Sequence, residues 1–339
     1  MTTEKANEMI CKGCGLPITP ENDSDAHMIP RALGGRLAPR GIICRDCNGR
    51  LNDAADFELI DAFGAWPTLL DIPRQGANPP KTIDTKKGYR ARLDADGKLM
   101  RTDVVYKVET LPDGSQKVEM GAGDIKTARQ LLARAKKQFP QLDLIESEKH
   151  LAVQGMPPDD EMKLGLDFSP AATFGGVLTA IWLFLIYKTG RAFMTLDQLL
   201  VSIKKMQEHG GTFRYLVDDL PGLLGPDIKL GHKIIVRSVP KTGELIAFVE
   251  ILGLLKIGGV FAAGRKGFAL EHIYAYDLLE KKERSGEFSI DPTIFEAQDW
   301  RKFGLGPTDG EALRNHFRRA QVALSALYYA RFTAEPSTK

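Results

Sequence analysis

Four cysteines, all within the first 47 of 339 residues, constrain this chain more than any other feature. They fall as two Cys-x-x-Cys pairs, Cys11 with Cys14 and Cys44 with Cys47, and 29 residues separate the pairs. A cystine framework spreads its cysteines through a short secreted chain, whereas paired knuckles suit a tetrahedral metal in a reducing compartment. Four thiolates fill the shell of a Zn²⁺ ion and leave no position for water or substrate. The expected zinc is therefore structural, and its work is to fold a small module. The opening residues, MTTEKANEMICKGCG, are polar and hold no apolar run of the kind a secretory leader carries, so a cytoplasmic setting is expected.

Composition bounds the rest. At 43% hydrophobic and 27% charged residues, with 33 Gly and 19 Pro, the chain has ordinary globular values, and its length suits two or three domains. Lys and Arg number 46 against 44 Asp and Glu, which excludes a polycation that coats nucleic acid by bulk charge; any basic surface must be local. The longest apolar run, Ala171 to Tyr187, falls short of the ~20 residues of a spanning helix and is interrupted by Gly175, Gly176 and Thr179. It reads as a buried core helix, and no membrane contact is expected.

Between the knuckles lies SDAHMIPRALGGR at 24–36, and the second knuckle continues as CRDCNGRLN at 44–52. His27 followed by two apolar residues and Pro30, then Gly34 and Gly35, then Cys-x-x-Cys-Asn, resembles in order the HNH endonucleases, specifically the branch whose ββα-metal fold is clipped by two knuckles. The resemblance covers about residues 9–56. It departs at the middle position, since no Asn lies between Gly35 and Cys44. The resemblance implies His27 as general base and Asn48 as catalytic residue and ligand of a Mg²⁺ or Mn²⁺ ion. It also implies phosphodiester hydrolysis in nucleic acid, with DNA as the expected substrate.

The residue types agree with that chemistry. An imidazole with an ordinary pKa of ~6.5 is a usable base near neutral pH, and a hard cation accepts the carbonyl oxygen of an Asn side chain. Asn52, four residues after Asn48, shares its helical face and is a weaker candidate ligand. Arg31, Arg36, Arg40, Arg45 and Arg50 surround the module; alone each reads as a solvated side chain, and together they suit a nucleic-acid face.

One departure bears on activity. The family usually carries an acidic residue immediately before the His, binding the same cation, and this chain has Ala26. Asp25 lies next door, but neighbouring strand residues face opposite ways. Three explanations stand: an engineered replacement, which the otherwise intact motif favours, a natural loss of cleavage, or an altered site that uses Asp25. The chain as written is expected to cleave weakly or not at all. A non-catalytic zinc-clipped module that binds nucleic acid or protein is the alternative reading. A redox role for the Cys-x-x-Cys pairs is set aside, because the pair is duplicated and accompanied by His and Asn.

The expected class is α+β: a zinc-clipped HNH module at residues 1–67, a linker with a small antiparallel sheet and a basic helix at 68–160, and a larger α+β domain at 161–339. Pro79 and Pro80 mark a connector within 68–85. Turn residues at Asp96–Gly97 and Pro112–Gly114 predict two hairpins in one sheet over 88–120, and a helix follows from Ile125 to Phe139. From Lys81 to Lys137 there are 14 basic and 8 acidic residues. That segment, and the last helix with Arg314, His316, Arg318 and Arg319, are candidates for backbone contacts. By analogy with bacterial restriction and anti-phage effectors, the C-terminal domain is expected to meet a trigger, a protein partner or a second copy of the chain.

Overall fold

The computed structural model describes residues 9–72, 81–86, 88, 90–93, 99–102, 104–142, 164–209 and 211–333. The chain divides into two compact units, Met1–Gly64 with Leu166–Lys339, and Ala65–Gly165.

The first unit begins with the cysteine-rich segment. Two short antiparallel arms run from Ser24 to Met28 and from Leu37 to Ile43. The Ala26 N–H donates to the Pro39 carbonyl at 3.1 Å and the Met28 N–H to that of Leu37 at 3.0 Å. A 3₁₀ turn at Arg31–Leu33 reverses the chain, with Gly34 at φ 91° supplying the left-handed step that a Cβ would oppose. Helix α1 (Arg45–Leu51) follows, then a π-turn at Asn52–Asp56 and helix α2 (Phe57–Ala62). The expected ββα order is present, and mixed helix with antiparallel strand describes the whole chain.

The second unit holds the short helix α3 (Trp66–Leu69) and strands β1 (Lys81–Asp84), β2 (Arg90–Leu93) and β3 (Leu99–Arg101). Strands β4 (Val105–Thr110) and β5 (Gln116–Gly121) and helix α4 (Ile125–Gln138) complete it. The expected single sheet is in fact two: β1-β2-β3 and a separate β4-β5 hairpin. The expected connector ends early, because Lys81 to Asp84 pair with Leu93 to Arg90. Pro79, Pro80 and the turn at Asp96–Gly97 lie outside the described residues. Asp124 caps α4 by accepting from the Thr127 N–H at 2.8 Å, and the helix buries Leu131, Leu132 and Ala135. Tyr106 of β4 meets α4 twice: the Arg134 guanidinium lies 4.6 Å from its ring centre and its hydroxyl donates to Gln138 at 2.9 Å.

The first unit resumes with helix α5 (Pro170–Thr189), started by Ser169 and Pro170 and stopped by Gly190 at φ 69°. It is long and apolar enough to cross a membrane, yet every residue from Ala172 to Ile186 is buried in the fold. Helix α6 (Leu196–His209) packs against it. Strands β6 (Phe213–Tyr215), β7 (Leu223–Leu224), β8 (Gly231–Val239), β9 (Glu244–Ile251) and β10 (Leu255–Ala263) follow. Then come β11 (Glu271–Asp277), β12 (Lys282–Glu283), β13 (Ser289–Ile290), α7 (Pro292–Glu296) and α8 (Gly310–Thr333). Six of these strands form one antiparallel sheet in the order β12-β11-β8-β9-β10-β6. Helix α5 lies across β8 and β9. A core of Leu216, Ile235, Ile246, Phe248, Phe295 and Trp300 forms around the same strands. Within this apolar sheet Lys233 of β8 faces Glu250 of β9, their charged groups 3.1 Å apart and both nearly inaccessible.

Candidate zinc-clipped nuclease site

The knuckles are built by local turns. Cys11 donates its N–H to the Leu16 carbonyl at 2.8 Å, Gly15 returns to the Cys11 carbonyl at 2.9 Å, and Gly15 takes φ 75° to do so. Gly13 permits the close approach, since a Cβ there would stand 2.8 Å from Cys47 Sγ. The result is four sulfurs within 4.8 Å of one another, with Cys11 Sγ 3.7 Å from Cys47 Sγ and Cys14 Sγ 3.8 Å from Cys44 Sγ. Two ligands at ~2.3 Å on a tetrahedral Zn²⁺ are separated by about 3.8 Å, so the donor set and its spacing fit zinc. The backbone N–H groups of Gly13 and Cys44 point at Cys11 Sγ, at 3.4 and 3.2 Å. Burial alone would raise the Cys11 thiol, but these amides and that of Cys14 outweigh it and bring the pKa to about 7. Burial and the neighbouring sulfurs push the Cys47 thiol up. Four thiolates thus need a cation to coexist here, and a bound Zn²⁺ would supply the structural clip.

The knuckle that seats Cys47 also seats Asn48, the next residue in the first turn of α1. From the facing arm, His27 directs Nδ1 to the carbonyl oxygen of Asp25 at 3.3 Å, while Asn48 Nδ2 approaches the same oxygen at 3.4 Å. A carbonyl only accepts, so the imidazole carries its proton on Nδ1 and leaves Nε2 as the basic atom. Burial, aided by the charge of Arg31, holds the His27 pKa below the ordinary imidazole value against the opposing pull of Asp25. The ring is therefore neutral at pH 7. With Nδ2 turned to the carbonyl, Asn48 Oδ1 is the atom left for a cation.

Ala26 is fully buried between these groups in sequence, with 0% exposure. The Asp25 carboxylate is 58% exposed and lies 3.8 Å from Arg40 Nε. Among the described residues the four cysteines are the one group of three or more His, Cys, Asp or Glu side chains arranged to hold a metal. A hard cation beside His27 would find the Asn48 side-chain oxygen, while the Asp25 carboxylate, near enough to act on His27, is largely exposed and turned toward Arg40. The residues present fit zinc well and Mg²⁺ poorly.

The remaining candidates are dispersed. Asn52 is exposed and points Nδ2 at Asp53 at 3.4 Å. Arg31 lies close enough to His27 to influence it, and Arg45 is exposed on α1. Arg36 places its charge near His232 and Tyr274 of the large sheet. Arg40 pairs with Asp23 at 3.0 Å, and Arg50 pairs with Asp197 of α6 at 2.7 Å. Those last contacts were missed by sequence reasoning. The cysteine-rich segment is seated on α5, α6 and the sheet: Gln207 Nε2 donates to the Ala54 carbonyl at 3.2 Å, and a Cβ on Gly176 would stand 2.5 Å from Leu59 Cδ2. Only the unexplained Gly175–Gly176 pair in an apolar helix hinted at a close neighbour.

Residues 11–64 match the family model of the HNH endonucleases. Comparison with curated proteins and with solved structures gave no match. On the match, the ββα order and the gathered cysteines, residues 11–64 constitute an HNH endonuclease domain with a four-cysteine cluster suited to structural zinc.

Proposed function

We propose that this domain is a metal-dependent DNA endonuclease site, held in a disabled or weakened state by Ala26. The observation that carries the reading is the single Asp25 carbonyl oxygen shared by His27 and Asn48, which sets a neutral base and a free amide oxygen side by side. His27 Nε2 accepts a proton from water, the water oxygen bonds to phosphorus, and the P–O3′ bond breaks, leaving a 3′ hydroxyl once it is protonated by solvent. Asn48, with an acid at position 26 and Asn52 at the margin, would hold Mg²⁺ or Mn²⁺, which when bound neutralises charge on the phosphate. Arg31, Arg36 and Arg45 suit backbone phosphates, whereas Arg50 would have to leave Asp197 first.

Plasmid nicking in Mg²⁺ or Mn²⁺ tests this. Ala26→Glu is expected to create cleavage that the chain as written lacks, and adding His27→Ala should remove it again. Full-rate cutting by the unaltered chain, abolished by Asp25→Ala, would move the metal ligand to Asp25 and overturn the assignment.

The second reading, a binding module that keeps the scaffold without turnover, is favoured by the burial of Ala26 and predicts DNA binding without nicking in every variant. A role as a restriction or anti-phage effector rests on analogy of layout, with the C-terminal part as sensor or partner surface. The thiolate chemistry of the cluster suits a reducing, cytoplasmic setting.

A further inference from the structure

A cavity of about 560 Å³ opens where α5 ends, where the β8–β9 turn reverses and where β10 leads into β11. Its volume falls in the ~300–1,000 Å³ range of small-ligand sites. Much of its lining is small or apolar, including Gly243, Leu245, Ala262 and Gly264. Two aromatic rings stand at its rim, Phe193 and Phe268, each 43% exposed. Grouped at one opening, two such rings form the kind of exposed apolar patch that marks a ligand groove.

Two cations share the rim. Arg191 and Arg265 line the cavity, and no Asp or Glu does. Among the described residues neither guanidinium makes an ion pair, unlike Arg50, Arg237 and Arg284 elsewhere in the unit. Flat apolar rings beside unpaired planar cations complement a ligand that is aromatic at one end and anionic at the other. Aliphatic anions satisfy only half of that pattern.

Location adds to the chemistry. The rim segment at Arg191–Phe193 runs directly into α6, and three residues of chain span at most about 11 Å. Leu196, the first residue of α6, would lie 3.5 Å from a Cβ on Gly13 of the first knuckle, and Asp197 holds Arg50 of α1. The Trp182 indole N–H fixes this turn by donating to the Met194 carbonyl at 3.0 Å. The cavity is thus one short turn of chain from the zinc knuckle.

We propose that this cavity binds a nucleoside phosphate, its base against Phe193 and Phe268 and its phosphate on Arg191 and Arg265. The nucleotide is either free or an unpaired residue of a strand; both present the same base and phosphate. The proposal does not require that the domain cleave.

The test is equilibrium binding to the full chain without divalent cation, using adenosine monophosphate, a fluorescein-labelled single-stranded oligonucleotide, and decanoate as an aliphatic anion. Saturable binding of the oligonucleotide alone assigns the site to a strand, and binding of the mononucleotide as well assigns it to the free ligand. In either case Phe193→Ala with Phe268→Ala, and separately Arg191→Ala with Arg265→Ala, should weaken binding at least about tenfold, in keeping with one base–aromatic contact or one phosphate contact. All four side chains are exposed, so thermal unfolding should be unchanged. Binding of neither nucleotide probe, equal binding by the variants, or binding of decanoate alone would overturn the proposal. Absence of cleavage in Ala26→Glu with intact cavity binding would count against the nuclease reading only.

Discussion

At the scale of single residues, the proposed chemistry turns on position 26, and the surroundings of that position set the cost of changing it. A methyl group with no exposure sits where the proposed site would need a cation-binding carboxylate. A carboxylate placed there is desolvated and will stay protonated or destabilise the domain unless a cation meets it. Ala26→Asp should therefore lower the stability of the zinc-loaded protein by about 2–4 kcal/mol without added Mg²⁺ and recover part of the loss in millimolar Mg²⁺, while the unaltered zinc-loaded chain melts alike in both. Equal melting of the zinc-loaded variant and parent without Mg²⁺ would mean that position 26 is open to water. Asp56, in the π-turn, gives a pH signature of its own: burial raises its carboxyl from the ordinary value to about 7. Its folded pKa lies above the unfolded one, so the folded state binds the extra proton between pH ~4 and 7, and stability falls as pH rises through that window. Asp56→Asn should remove that fall and leave the variant the more stable by up to a few kcal/mol at pH 8, as pH-dependent denaturation can measure. The role proposed for His27 comes from the sequence, from its neighbours Met28, Ile29 and Pro30. The burial of Ala26 was not, because strand alternation says which face a side chain takes and not what covers that face.

At the scale of elements, the local devices were the legible part. The two knuckles follow from Cys-x-x-Cys spacing, α5 from its apolar run Ala171–Tyr187, and the β4–β5 hairpin from Pro112, Asp113 and Gly114. The split between the β1-β2-β3 sheet and that hairpin was not legible, since turn residues specify hairpins and do not say which hairpins share an edge. The π-turn at Asn52–Asp56 was likewise hidden inside a helical pattern. The knuckle and α1 act as one element, because Cys47 and Asn48 share the helix's first turn. Elemental analysis should find about one zinc per folded chain. Chelation should lower the melting temperature and loosen Asn48 with it, visible as loss of protection from hydrogen exchange over residues 44–51. A folded, unchelated protein without zinc would remove the clip from the account.

At the scale of the molecule, the HNH segment and the C-terminal part share one compact unit, joined where Gly175 and Gly176 of α5 let the π-turn and α2 come close. A Cβ at position 176 would stand 2.5 Å from Leu59 Cδ2 and 2.8 Å from its Cβ, a clash that rotation of the leucine tip alone does not relieve. Gly176→Ala should cost about 1–3 kcal/mol in thermal or denaturant unfolding, and Leu59→Ala in the same chain should make the two losses less than additive. A Gly176→Ala variant as stable as the parent would place the helices further apart. Such contacts join residues more than a hundred positions apart, which no local pattern in the sequence encodes.

The Lys233–Glu250 pair extends this logic to the sheet. An apolar β8–β9 ladder of Ile, Val and Phe constrains its own alignment weakly, but sliding by one residue would carry the buried Lys233 ammonium to the face away from Glu250 and leave that carboxylate only the more distant Lys256 at 4.0 Å. Electrostatics therefore acts as a vernier for the two strands, admitting one alignment and rejecting its neighbours.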